Sequence, residues 1–245
     1  LESQPVQLGI YDTAMKFALG IELILIGLNG AARPEIFRFM KEGTKKHLFD
    51  IKRLSNILLA QIQIVIALAI FPVMIYLSFL YETDVRLASG IITIVFCRYI
   101  LQAQYLIFLM PVYYAKKTRA LFWINSAGLL VNVACNMLLI PLYGYYGAIG
   151  AGIFTQFLLV LLMYYYQKKM SGIAWNLNKT FYHPIGIVAV AVAVELLKNY
   201  FGLNTFAVSG AVAALMFASL YVLYGKDISL KKIKYHLHDP SEPDV

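Results

Sequence analysis

Charged and amide side chains stand where an otherwise apolar chain has little reason to keep them. Asp12, Lys16, Glu22 and Asn29 share one apolar run. At 100° per residue they fall at about 0°, 40°, 280° and 260°, within an arc of about 140°, which makes one polar face. Asp12 and Lys16 are four apart and can pair directly, with both side chains reaching the water at the run's end. A later run carries Arg98 at its centre, with Gln102 one turn on and Tyr105 beside it. Arginine keeps its charge, so Arg98 needs a carboxylate, carbonyls, water or an anionic ligand. A salt bridge to Glu22 or Asp12 and contact with an anion in a wet lumen are the two readings. Asn125, Asn132 and Asn136 share a further face, suited to hydrogen bonds between packed helices. Asn56 and Gln63 line one face of another run. The chemistry these residues offer is polar binding inside an apolar surround. No P-loop, nucleophile elbow, zinc motif or redox pair occurs, so an enzyme and a cofactor are not expected.

The elements that hold these groups are transmembrane helices. Of the 245 residues, 60% are hydrophobic and 14% charged, whereas a soluble domain is about half apolar and a quarter charged. A span needs roughly 20 apolar residues, and seven runs qualify: 9–32, 54–80, 87–114, 120–140, 146–166, 184–200 and 206–224. No window alternates as a barrel strand does, so the fold class is all-α, a polytopic membrane bundle. The first five spans group as 9–170, with two more in 171–225. Residues 1–8 read as an external stub and 226–245 as a tail. The segment from Arg33 to Arg53 mixes basic and apolar residues, and reads either as an interfacial helix or as a solvated connector. Pro72 predicts a kink. Gly144, Gly147, Ala148, Gly150, Ala151 and Gly152 allow close helix approach, and no strand precedes them as a phosphate loop would require. Cys97 and Cys135 read as packing residues. Glu195 and Lys198 read as an interfacial pair, and His236 and His238 lack further ligands for a metal.

Charge sets the orientation. The net charge is +8, but the cations fall in the loops between spans, which argues against nucleic acid as partner. Seventeen of the 21 Lys and Arg residues lie in loops on one side, against Arg86 and Lys198 on the other; Lys16 and Arg98 lie inside spans. The basic side is therefore expected to be cytoplasmic, with the last residue inside. The first residues, Leu1 to Gln7, read like the middle of a longer chain.

Two segments carry a resemblance. Residues 8–17, LGIYDTAMKF, resemble the GxYxxAxK opening of a helix in bacterial polysaccharide (O-antigen) flippases. Residues 132–152, NVACNMLLIPLYGYYGAIGAG, resemble their N-x3-N-x3-IP-x-YG-x2-GA segment. These flippases belong to the multidrug/oligosaccharidyl-lipid/polysaccharide exporter superfamily. Gly9, Tyr11, Ala14 and Lys16 fall at positions of the first motif; Asn132, Asn136, Pro141, Gly144 and Gly147 fall at positions of the second. Asp12 and Arg33 depart from the pattern. The resemblance implies twelve to fourteen helices in two lobes around a central cavity. This chain would be the C-terminal half, and an N-terminal lobe of the same chain would be its missing partner.

On that likeness the expected function is to flip a polyprenyl-diphosphate-linked oligosaccharide to the outer leaflet of the bacterial inner membrane, by alternating access, in polysaccharide biosynthesis. Arg98 and Lys16 would neutralise the diphosphate, Asn125, Asn132 and Gln102 would meet sugars, and membrane lipids would surround the bundle. The alternative is a cation-coupled multidrug or metabolite exporter using Asp12 or Glu22 for H+ or Na+. A non-transporting scaffold for glycan assembly is the third reading, disfavoured by the buried charges.

Overall fold

The computed structural model describes residues 3–43, 45–79 and 88–228, with side chains over 8–43, 47–79 and 88–225. Among the described residues seven long helices form the bundle: α1 (Ser3–Glu42), α2 (Lys45–Phe79), α3 (Ile92–Tyr114), α4 (Thr118–Tyr143), α5 (Tyr145–Ser171), α6 (His183–Phe201) and α7 (Thr205–Ile228). Each is long and apolar enough to cross a membrane, and there are no strands among the described residues. The protein is thus an all-α polytopic membrane bundle, its backbone polar groups satisfied within each helix as lipid demands.

Helix α3 is the axis. It packs against α1, α2, α5 and α6, and nearly all of its side chains are buried. Its sequence explains the position, because apolar residues surround the whole circumference, and before the exposed Tyr113 and Tyr114 at its end only Arg98, Gln102 and Leu106 keep some exposure. Helix α7 seats on α2 and is tied to the start of α3 at Thr93 and Ser209, whose buried hydroxyls lie 2.6 Å apart. Helix α4 is the outlier. It packs almost wholly on α5, and Leu129, Leu130, Met137 and Leu138 are exposed along it.

The α4–α5 hairpin shows what the small residues do. Gly144 adopts φ 57° between the two helices, a left-handed conformation that glycine takes without strain. A Cβ on Gly147 would stand 2.2 Å from the Leu139 carbonyl oxygen, and one on Gly128 would stand 2.6 Å from Leu159. At Gly147 the helices touch backbone to backbone, and at Gly128 the Leu159 side chain fills the space, so the expected packing role holds at Gly147. Gly147→Ala is expected to lower the thermal midpoint of the purified protein by several degrees, whereas Gly150→Ala, where a Cβ meets nothing within 4 Å, leaves it within about a degree. Equal midpoints would contradict the close approach.

The connector between the first two spans is helical on both sides of a break. Helix α1 continues through Pro34 to Glu42, and α2 begins at Lys45. Residues 33–42 and 45–53 are therefore the ends of two helices, with Gly43 at φ 65° between them. Forty residues rise about 60 Å, twice the hydrocarbon thickness, so these ends extend past the span. Local contacts hold them. Arg38 pairs with Glu35, His47 Nε2 lies 2.7 Å from Glu42, and the Phe39 and His47 rings stack at 5.5 Å. Arg33 lies over the Tyr113 ring and Phe37 packs on Tyr114, which fixes the stalk to the end of α3. A basic segment that is also apolar at helical spacing can extend a helix as readily as lie flat, and these aromatic contacts decide between the two.

Helix α1 also includes Ser3 to Leu8, where the sequence suggested a stub. Pro72 lies inside α2 without ending it. His236, His238 and Arg86 lie outside the described residues, as do the loop-side ends of the second and third spans and most of the tail.

A wide turn leads into α6. Leu177–Tyr182 is π-helical, and such a turn leaves carbonyls without their usual partners. Two helices supply donors and a third an acceptor. Tyr224 of α7 donates to the Lys179 carbonyl at 2.6 Å, Gln104 of α3 donates to the Phe181 carbonyl at 3.2 Å, and Thr180 donates to Asn56 Oδ1 of α2 at 3.1 Å. The polar residues of α2 thus serve, in Asn56 at least, to clasp this turn.

Candidate binding site

On one flank of α3 the polar side chains of three helices meet. Glu22 of α1 is half-buried, and its carboxylate accepts long hydrogen bonds from Tyr99 Oη at 3.5 Å and Gln102 Nε2 at 3.4 Å. Arg98, one turn before Gln102, is half-buried and lies over the Tyr99 ring, 5.4 Å from its centroid. A Cβ on Gly152 of α5 would stand 2.9 Å from Arg98 Nη1. Glycine at 152 thus makes room for the guanidinium, a second use of the small-residue stretch.

Neither salt bridge expected for Arg98 forms. Among the described residues no carboxylate lies within 4 Å of it, and its Nε is buried without a partner. The reason is visible on α1. Asp12 is taken by Lys16 at 2.7 Å, with the two side chains 57% and 69% exposed, and Glu22 is turned to Tyr99 and Gln102. The intrahelical Asp12–Lys16 pair is the reading drawn from their spacing. It stands apart from the Arg98 cluster, about 15 Å of helix separating Asp12 from Glu22.

The asparagines divide. Asn125 accepts a 2.7 Å hydrogen bond from Tyr105 Oη, one turn beyond Gln102, and remains exposed. Asn132 donates to Thr155 Oγ1 of α5 at 3.2 Å and accepts from Asn136 at 3.0 Å. Asn132 is therefore a bond between packed helices, and its loss is expected to cost about 0.6 kcal/mol and at most about 1.7 kcal/mol. Asn132→Ala should shift the midpoint of denaturation by that amount in a mild detergent and leave the Arg98 flank intact. A larger loss, or none, would assign it another role.

The structure thus gathers Glu22, Arg98 and Gln102, sets Asn125 next to them, and leaves Lys16, Asp12 and Asn132 elsewhere. Glu22, Arg98 and Gln102 each keep some exposure, so the gathered surface is partly open on the flank of α3. It holds a permanent cation with donors to spare beside a carboxylate that is only weakly bonded. Such a face can take an anion at Arg98, and a proton or small cation at Glu22. Cys97 is buried and Cys135 half-buried, and both are free.

A second polar cluster surrounds the pair read from the sequence. Glu195 and Lys198 of α6 are 4% and 6% exposed, buried against the bundle. Lys198 Nζ lies 2.5 Å from Glu195 Oε1 and donates to the Gly90 carbonyl at 2.6 Å. Tyr146 of α5 donates to Glu195 Oε1 at 3.3 Å. The spacing of three shows the pair, but its burial depends on Gly90 and Tyr146, which are distant in the chain.

A comparison with protein families, curated proteins and solved structures found no match to this chain.

Proposed function

We propose that the protein belongs to a membrane exporter that flips a polyprenyl-diphosphate-linked oligosaccharide between leaflets, with the Arg98 flank contributing the anion site. The observation that carries this reading is a permanent cation in the second turn of the most buried helix, half-open, with no carboxylate partner among the described residues. An intramembrane arginine left so is costly unless a ligand or water meets it, and a diphosphate is a double acceptor suited to its forked donors. Gln102 and Asn125 extend the face along α3 with amides suited to sugar hydroxyls. The likeness of the two sequence motifs to polysaccharide flippases supplies the substrate class. Opening the face alternately to the two sides would require a second lobe to rock against this one. A potential negative inside would favour outward anion movement by about 2.3 kcal/mol per charge per 100 mV.

The test is transbilayer movement of a fluorescent polyprenyl-diphosphate oligosaccharide in vesicles holding the full chain. Movement well above that of protein-free vesicles, absent for a neutral polyprenyl alcohol, is the expected result. Equal rates for both would end the proposal.

A second reading rests on Glu22, whose long hydrogen bonds leave it ready to exchange a proton or a small cation, as in a coupled drug or metabolite exporter. Glu22→Gln distinguishes the two. Drug export lost with glycan unchanged supports the second, and the reverse supports the first.

A further inference from the structure

Helices α5 and α6 both pack on α3 but make at most marginal contact with each other. Between them lies a cleft of about 510 Å³, walled by apolar side chains such as Ile94, Phe154, Phe157 and Leu196. A second cleft of about 330 Å³ shares Ile153, Phe157, Val192 and Leu196 with it and reaches Ile185. The two form one groove. From Ile185 to Asn199 helix α6 rises about 21 Å, against about 15 Å for the hydrocarbon of one leaflet, so a whole acyl chain fits along it. In a membrane bundle, an apolar groove between two separated helices is filled from the bilayer.

One end of the groove is polar. Glu195, Asn199 and Tyr146 line it. Glu195 Oε1 takes the bonds from Lys198 and Tyr146, so Oε2 stays available as an acceptor. Tyr146 also donates to Asn199 Oδ1 at 3.3 Å, and the Asn199 amide nitrogen has no partner among the described residues. The cluster is neutral overall because Lys198 balances Glu195. A carboxylate oxygen beside an amide donor, with no net charge, matches a head group that joins an ammonium to a phosphate. We infer that this groove binds one phosphatidylethanolamine-type lipid, its chain along α6, its ammonium on Glu195 and its phosphate on the Asn199 amide. The inference is independent of what the Arg98 flank transports.

The experiment is native mass spectrometry of the full chain released from vesicles of equal phosphatidylethanolamine, phosphatidylglycerol and polyprenyl phosphate. Wild type is expected to keep one phosphatidylethanolamine. Gly150 lines the cleft and a Cβ there meets nothing within 4 Å, so Gly150→Phe places its ring in the groove and should lower that occupancy at least fivefold. Ala193→Phe, in the second cleft, should do the same. Gly186→Phe, on the same helix outside the groove, should not. Wild-type occupancy in both filling variants, no retained lipid in the wild type, or an equal or greater share of phosphatidylglycerol or polyprenyl phosphate would each overturn the inference.

Discussion

Replacing Arg98 by alanine is expected to lower surface glycan in complemented cells by about 30-fold or more, at unchanged abundance of the protein. The size follows from the charge. Removing one partner of a buried charge contact costs about 2–5 kcal/mol, and each 1.4 kcal/mol is tenfold. Unchanged abundance follows from the structure, because Arg98 has no ion pair to lose and its Nε is already without a partner. The guanidinium rests against Tyr99 and the space left by Gly152, and alanine leaves a small void there. Arg98→Lys keeps the charge but loses the fork that suits a diphosphate, so it should fall between wild type and alanine. Normal glycan with normal protein in the Arg98→Ala strain would remove the anion role. A fall in abundance matching the fall in glycan would make Arg98 a structural residue.

The second large effect concerns stability. Lys198→Ala is expected to cost about 3–5 kcal/mol, because it leaves Glu195 charged and buried without its partner. The pair is less than a tenth exposed and ties α6 to the turn before α3 through the Gly90 carbonyl and to α5 through Tyr146. The double variant Glu195→Leu/Lys198→Leu removes both charges and should recover most of the loss, since replacing a buried pair by apolar side chains is often neutral. Reversible unfolding in mixed micelles gives both numbers. A cost below about 1 kcal/mol for Lys198→Ala would mean the pair is wetter than its burial implies.

How much of this was legible beforehand depends on how local each feature is. The seven spans were readable because a membrane imposes one requirement, a long apolar run, that any window of residues exposes. The observed ends extend past the expected ones, most of all in α1 and α2, because helical hydrogen bonding continues wherever polar residues can reach water. The Asp12–Lys16 pair was legible from a spacing of four on one helix. The fate of Arg98 was not, since it depends on how α1 rotates against α3. Glu22 turns to Tyr99 and Gln102, a choice no single-helix projection shows. Asn132 and Asn125 were indistinguishable by face, yet one meets Thr155 of α5 and the other Tyr105 of α3. The spacing of Glu195 and Lys198 shows the pair but not its burial, which is set by neighbours far away in the chain. Gly152 was assigned to helix packing, and its contact with Arg98 could be found only in three dimensions.

The most direct test of the anion face is its wetness. With Cys97 and Cys135 replaced by alanine, single cysteines at Gln102, Leu101 and Leu130 can be exposed to a charged, membrane-impermeant thiol reagent in intact membranes. Gln102 lies beside Glu22, Leu101 is buried within the bundle, and Leu130 is exposed on the apolar surface of α4. The account predicts rapid modification at 102 alone, slowed by a polyprenyl-diphosphate ligand. Modification at 102 no faster than at 101 and 130 would mean that Arg98 and Glu22 sit in a dry contact, and the proposed site would be lost.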